Sequence, residues 1–161
     1  MKTLPLIFLL LACSKERPQA LNDLNGAFFD APFPNIERTL ENGAPDYTGF
    51  PNPSATGLIT DYLAITQTLS GASTVGPITF RFDGKIAQGD LPTGAESLSA
   101  NANVLLLDID PTSPHHGELL PIQTHWQSDS TSHQASNLLS LSPIYGIPLR
   151  PDTEYAAIIR T

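Results

Sequence analysis

Through the second half of the chain, apolar residues recur at the spacing of short strands. Residues 77–82 alternate apolar and polar through Ile78, Thr79, Phe80, Arg81 and Phe82, and Asp83-Gly84 closes the run as a turn does. Residues 104–109 form a leucine and β-branched run. Residues 119–126 alternate through Leu120, Ile122, Thr124 and Trp126, residues 137–141 are another short apolar stretch, and residues 154–160 close on Tyr-Ala-Ala-Ile-Ile. Five strands separated by Gly, Pro, Asp and Ser clusters predict a mainly β, antiparallel sandwich. Helical spacing occurs in residues 55–69, where Leu58, Ile59, Tyr62, Leu63, Ile65 and Leu69 fall on one apolar face. Ser54 or Thr56 is available as its N-cap and Gly71 as its stop. Ahead of this helix, residues 28–53 interleave aromatics with prolines. Each proline excludes helix and extends the residue before it, which predicts an irregular strap packed down by Phe28, Phe33, Phe50 and Tyr47.

Composition narrows the picture. Fifteen prolines and eleven glycines with few charges favour a loop-rich β architecture over a helical bundle. The net charge is −8, and Lys15, Arg17, Arg38, Arg81, Lys85, Arg150 and Arg160 are scattered without forming a stripe. Nucleic acid is therefore excluded as a partner, because binding phosphates needs clustered Lys and Arg. A single cysteine rules out an internal disulfide, so the fold must rest on packing.

The first thirteen residues follow a different logic. Met1-Lys2 is a short basic start, residues 4–11 are almost wholly apolar, and Ala12 places a small residue before Cys13. That is the layout of an export signal, and its apolar run is far short of the roughly 20 residues that span a bilayer. Leu10-Leu11-Ala12-Cys13 resembles a bacterial lipobox. The resemblance implies that residues 1–12 are a lipoprotein signal peptide and that Cys13 becomes the lipidated amino terminus, with the membrane as partner through its acyl chains. The alternative is an ordinary secretory signal with a chance cysteine. Several acyl chains, at about 0.8 kcal/mol per buried CH₂, would make the anchorage effectively permanent. Ser14 supplies no acidic residue next to Cys13 of the kind that retains lipoproteins of enteric bacteria in the inner membrane, so the expectation is the outer membrane or cell surface of a bacterial envelope. Residues 13–27 then read as a polar tether and residues 28–161 as the domain.

A second resemblance concerns that domain. Gly76-Pro-Ile-Thr-Phe-Arg-Phe-Asp-Gly-Lys-Ile, the later Leu141-Ser-Pro, and Ile147-Pro-Leu-Arg-Pro-Asp-Thr-Glu-Tyr-Ala-Ala-Ile-Ile resemble the bacterial Ig-like domains of cell-surface proteins. The upstream Asp30-Ala-Pro-Phe-Pro-Asn and the helix before the first core strand resemble the amino-terminal region of extracellular bacterial lipases of the virulence-factor type. Together these cover most of residues 28–160 and imply an Ig-like antiparallel β-sandwich. In such domains the Tyr-Ala-x-x-Ile strand is followed by another, so the chain is expected to be truncated near its penultimate strand. Residues 155–159, apolar on both faces, suit that expectation. Pro151 and Asp152 suit a turn that delivers Tyr155 either to a tyrosine corner or to an ordinary half-buried strand position.

Candidate chemistry is sparse. Ser73 in Gly71-Ala-Ser-Thr-Val lacks the second glycine of a nucleophile elbow and follows a helix instead of a strand. His115, His116, His125 and His133 fit no metal-ligand spacing and read as exposed loop residues. Asp108 and Asp110, two apart on a strand, share one face and are the candidates for a hard cation such as calcium, with Thr112, Ser113 or Glu118 completing the oxygens. Alternatively, Asp110-Pro111 starts a turn and Asp108 caps a strand edge. Trp126 suits packing, or stacking on a sugar or lipid. The resulting expectation is a lipid-anchored envelope protein with a non-catalytic Ig-like spacer or binding module, neither catalytic nor cofactor-bearing, its protein or carbohydrate ligand unspecified. The alternative is the front end of a secreted lipase-like α/β hydrolase.

Overall fold

A computed structural model describes residues 17–160. The candidate lipidation site Cys13 and the leader lie outside the described residues. Five strands form: β1 (Ile78–Arg81), β2 (Val104–Asp108), β3 (Ile122–Gln127), β4 (Leu138–Pro143) and β5 (Tyr155–Ile159), with one helix, α1 (Gly57–Thr66), ahead of them. They make two antiparallel sheets, β1-β4-β3 and β2-β5.

The alternation seen in the sequence decides which residues meet. Phe80 and the adjoining Phe82, Val104 and Leu106 of β2, Ile122 of β3, and Leu139 and Leu141 of β4 form one buried cluster drawn from both sheets. Tyr155, Ala157 and Ile159 of β5 pack against it. At roughly 1.5–3 kcal/mol for each fully buried large apolar side chain, this cluster is the main source of stability in a domain without a disulfide.

The strap forms as expected and goes further. Phe28, Phe29 and Phe33 are buried together with Leu138 of β4, and Tyr47 and Phe50 pack on them. Phe28 meets Phe29 and Phe50 edge-on, with ring centroids 5.0 and 5.2 Å apart, an arrangement the ring quadrupoles favour. Backbone bonds between Phe33 and Thr79 run in both directions, at 3.1 and 2.8 Å, and stitch the strap to the outer edge of β1.

Three expectations need correction. The tether does not run free to residue 27. Leu21 N–H donates to Arg81 O at 2.7 Å, Asp83 N–H to Gln19 O at 3.1 Å, and Ala20 bridges to Phe82, because the unpaired edge of β1 offers backbone partners that local polarity does not announce. The run 119–126 is not one strand either. Leu119 bridges to Leu107 of β2, and only after Pro121 does the chain join β4 as β3. Helix α1 is shorter than residues 55–69. Thr56 stands at its N-cap without a side-chain bond, and instead the Asn52 Oδ1 accepts from Thr56 N–H at 3.0 Å. Its end falls at Gln67, before Gly71. Although an amphipathic helix ordinarily turns its apolar face to a core, no residue of α1 is buried, and Leu58, Tyr62 and Ile65 are 65, 60 and 56 % exposed.

Candidate functional site

The acidic pair at the end of β2 sits in a network of side-chain hydrogen bonds. Strand geometry sends Asp108 and Asp110 inward and Ile109 outward, and both aspartates are buried. Asp108 Oδ1 accepts from Asp110 N–H at 3.1 Å, while Oδ2 accepts from Ser113 Oγ at 2.7 Å and from the Arg150 guanidinium. Arg150 also donates to Ser113 Oγ at 2.7 Å. The fully buried Asp108 carboxylate is thus neutralised by an arginine from the loop before β5. Asp110 Oδ1 accepts from the Thr112 hydroxyl at 2.7 Å and from Thr112 N–H at 2.8 Å. Those hydrogen bonds from Thr112 hold the Asp110 carboxyl below the ordinary aspartate range. Both aspartates are buried with Ile109 exposed between them, and Arg150 and Ser113 bond Asp108 while Thr112 bonds Asp110. Among the described residues, no group of three or more His, Cys, Asp or Glu side chains gathers as a metal ion would need.

The same loop settles Tyr155. Its hydroxyl accepts from Arg150 N–H at 3.0 Å, tying the start of β5 to backbone five residues upstream, the contact that defines a tyrosine corner. Asp152 adopts a left-handed φ of 50° at the turn, a conformation aspartate tolerates better than most residues. Arg150 therefore joins three pieces: its guanidinium reaches the end of β2, its N–H reaches β5, and its neighbour Leu149 donates to Thr74 O at 2.8 Å. In the sequence Arg150 is one of the scattered cations, because its partner Asp108 lies forty-two residues away.

The remaining candidates are not brought together. Ser73 is exposed, and its hydroxyl accepts from Val75 N–H at 3.3 Å. His115 pairs with Glu118 at 2.8 Å, His116 meets Asp110 O at 3.1 Å, and His133 meets Pro51 O at 2.9 Å. His125 points outward from β3. Trp126 is half-buried against the core, edge-on to Phe82 at 5.9 Å. A cavity of about 210 Å³ lies beside the strap, lined by Phe28, Phe29, Pro51, Arg81, Gln134 and Ala135. There Arg81 pairs with Asp30, while its Nε is buried without a hydrogen-bond partner.

Among the described residues, no helix is long and apolar enough to cross a membrane. Compared with protein-family models, curated proteins and solved structures, the chain matches none.

Proposed function

We propose that this chain is a lipid-anchored protein of a bacterial cell envelope, held at the outer membrane or cell surface through acyl chains on Cys13. Its Ig-like β-sandwich serves as a non-catalytic spacer or binding module. The observation that carries the reading is Leu10-Leu11-Ala12-Cys13 after a short basic and apolar leader, with Cys13 as the sole thiol of the chain. Two antiparallel sheets around one core and the Tyr155 bond to Arg150 support the Ig-like assignment. The dispersal of Ser73 and the histidines supports a non-catalytic role. Mass spectrometry of membrane-extracted protein tests the anchor. The expected result is a diacylglyceryl-modified Cys13 at the amino terminus, and Cys13→Ala should remain uncleaved. A free Cys13 on an uncleaved chain overturns the proposal.

A second reading, the front end of a secreted lipase-like hydrolase, is favoured by the uncovered apolar row on α1, which a neighbouring catalytic domain would bury. Turnover of short-chain acyl esters by this chain, abolished by Ser73→Ala, would instead place catalysis here.

A further inference from the structure

We infer that the outer edge of β5 is an interface for a second copy of this chain, pairing β5 with β5 in antiparallel register about Ala157. The inference does not rest on lipidation of Cys13. Ile109 N–H donates to Glu154 O and Arg160 N–H to Asn103 O, both at the ends of the β2-β5 ladder. Since bonding alternates along an antiparallel pair, Ala156 and Ile158 also turn their backbone groups toward β2. The N–H and C=O groups of Tyr155, Ala157 and Ile159 therefore point away from it, toward an edge that no described residue bridges or bonds.

The outer edges of β1 and β2 are covered within the chain. Residues 19–21 and Phe33 cover β1. Glu118, Leu120 and Gly117 bond the outer side of β2. On β3 the Ser97 hydroxyl accepts from Ile122 N–H at 3.0 Å, and the outward backbone groups of Thr124 and Trp126 are unbonded among the described residues, but Ile122–Gln127 has no acidic and basic ends to complement each other in a second copy. β5 carries none of the usual edge protection, for Tyr-Ala-Ala-Ile-Ile has no lysine, proline or other charge within it.

What selects a second copy is the symmetry of this segment. Centred on Ala157, self-pairing sets Tyr155 opposite Ile159 and Ala157 opposite itself. These are the residues whose backbone groups face outward, so each pair exchanges both of its bonds. The intervening pairs set Ala156 against Ile158 and Glu154 against Arg160, in the closer, non-hydrogen-bonded positions. Charge is thus complementary at both ends, Glu154 of each copy facing Arg160 of the other, and both residues are exposed. A small side chain sits on the two-fold axis, so no bulky residue has to oppose itself there. On the core-facing side, Tyr155 and Ile159 already pack on the hydrophobic cluster, so pairing extends an existing apolar surface. Such an isologous contact closes on itself and yields a dimer, not a fibre.

Sedimentation of the detergent-solubilised full chain over a range of concentrations tests this, with the expected result a monomer–dimer equilibrium. Glu154→Arg and Arg160→Glu should each weaken the dimer about tenfold by opposing like charges twice per interface, and the double swap E154R/R160E should restore it. Ala157→Pro removes an outward N–H that β2 does not use, so it should abolish dimerisation while leaving the far-ultraviolet spectrum unchanged. Three results overturn the inference: a monomer at every concentration, a dimer that survives both Ala157→Pro and the single charge swaps, or a monomer whose Tyr155, Ala157 and Ile159 amides are protected from hydrogen exchange. The last would mean that a segment of the same chain occupies the edge.

Discussion

The strap and helix α1 are neighbours in sequence and both carry large apolar side chains, yet the domain buries those of one and leaves the other largely uncovered. Phe28 and Phe33 are each 6 % exposed, whereas Leu58 and Tyr62 of α1 are ten times more so. Attachment accounts for the difference. The strap is extended by its prolines, so its backbone is free to bond the edge of β1 through Phe33 and Thr79, and that bond delivers its rings onto Leu138. Arg38 then locks it. The guanidinium lies 4.2 Å over the Phe28 ring and donates to Phe28 O at 2.7 Å and Thr48 O at 2.9 Å. A helix satisfies its own backbone and has no such bonds to offer a sheet edge. α1 is attached by Asn42, which donates to Gln67 O at 2.8 Å, and its row Ile59, Leu63 and Thr66 is half-buried. Leu58, Tyr62 and Ile65, at i, i+4 and i+7, form a second row left exposed to solvent.

The largest effect should come from emptying the buried side of this comparison. Phe28→Ala is expected to cost about 3–5 kcal/mol, because it removes the ring on which Phe29, Phe33, Tyr47 and Phe50 converge; urea titration measures it. A loss under about 1 kcal/mol would mean that the strap is a loose covering, no better seated than α1. Arg38→Met keeps much of the side-chain bulk while deleting the charge-assisted bonds and the contact with the ring face, and should cost about 1–3 kcal/mol in the same titration.

Acid should loosen the strap before it affects α1. Asp46 Oδ1 accepts from Thr48 N–H at 2.8 Å, and Thr48 holds the Asp46 carboxyl below the ordinary aspartate value. A depressed carboxylate contributes stability that is present above its unfolded value and disappears as pH falls through its folded one. The contribution should therefore be complete at neutral pH and fade below about pH 4. Amide exchange at Thr48 should quicken over that range, and Asp46→Asn should abolish the pH dependence; exchange at Thr48 indifferent to pH, once corrected for intrinsic rates, would contradict the assignment. At the small end, Leu58→Ser or Tyr62→Ser should change the unfolding free energy by no more than about 0.5 kcal/mol, since an exposed side chain has little burial to lose. A loss comparable to that of Phe28→Ala would show the row to be buried in solution by a partner, sharpening the contrast into one between internal and intermolecular packing.

The existence of the strands was legible because alternation is local: Ile78, Phe80 and Phe82, or Ile122, Thr124 and Trp126, declare a period of two without reference to anything else in the chain. The aromatic strap was legible for a similar reason, as prolines set its backbone and rings must be buried somewhere. The face shared by Asp108 and Asp110 followed from their spacing. Their chemistry did not, because whether a buried carboxylate holds a cation or an arginine depends on what arrives from elsewhere, and here Arg150 arrives from the turn before β5. The same limit applied to residues 19–21, to the division of residues 119–126 between two sheets, and to the exposed row on α1. Periodicity in the sequence determined which residues of this protein want a partner and on which side of the backbone they present themselves. Only the tertiary structure decided who the partner is, because pairing of sheet edges, buried charges and apolar faces is a competition among segments far apart in sequence, settled by geometry that no local pattern encodes.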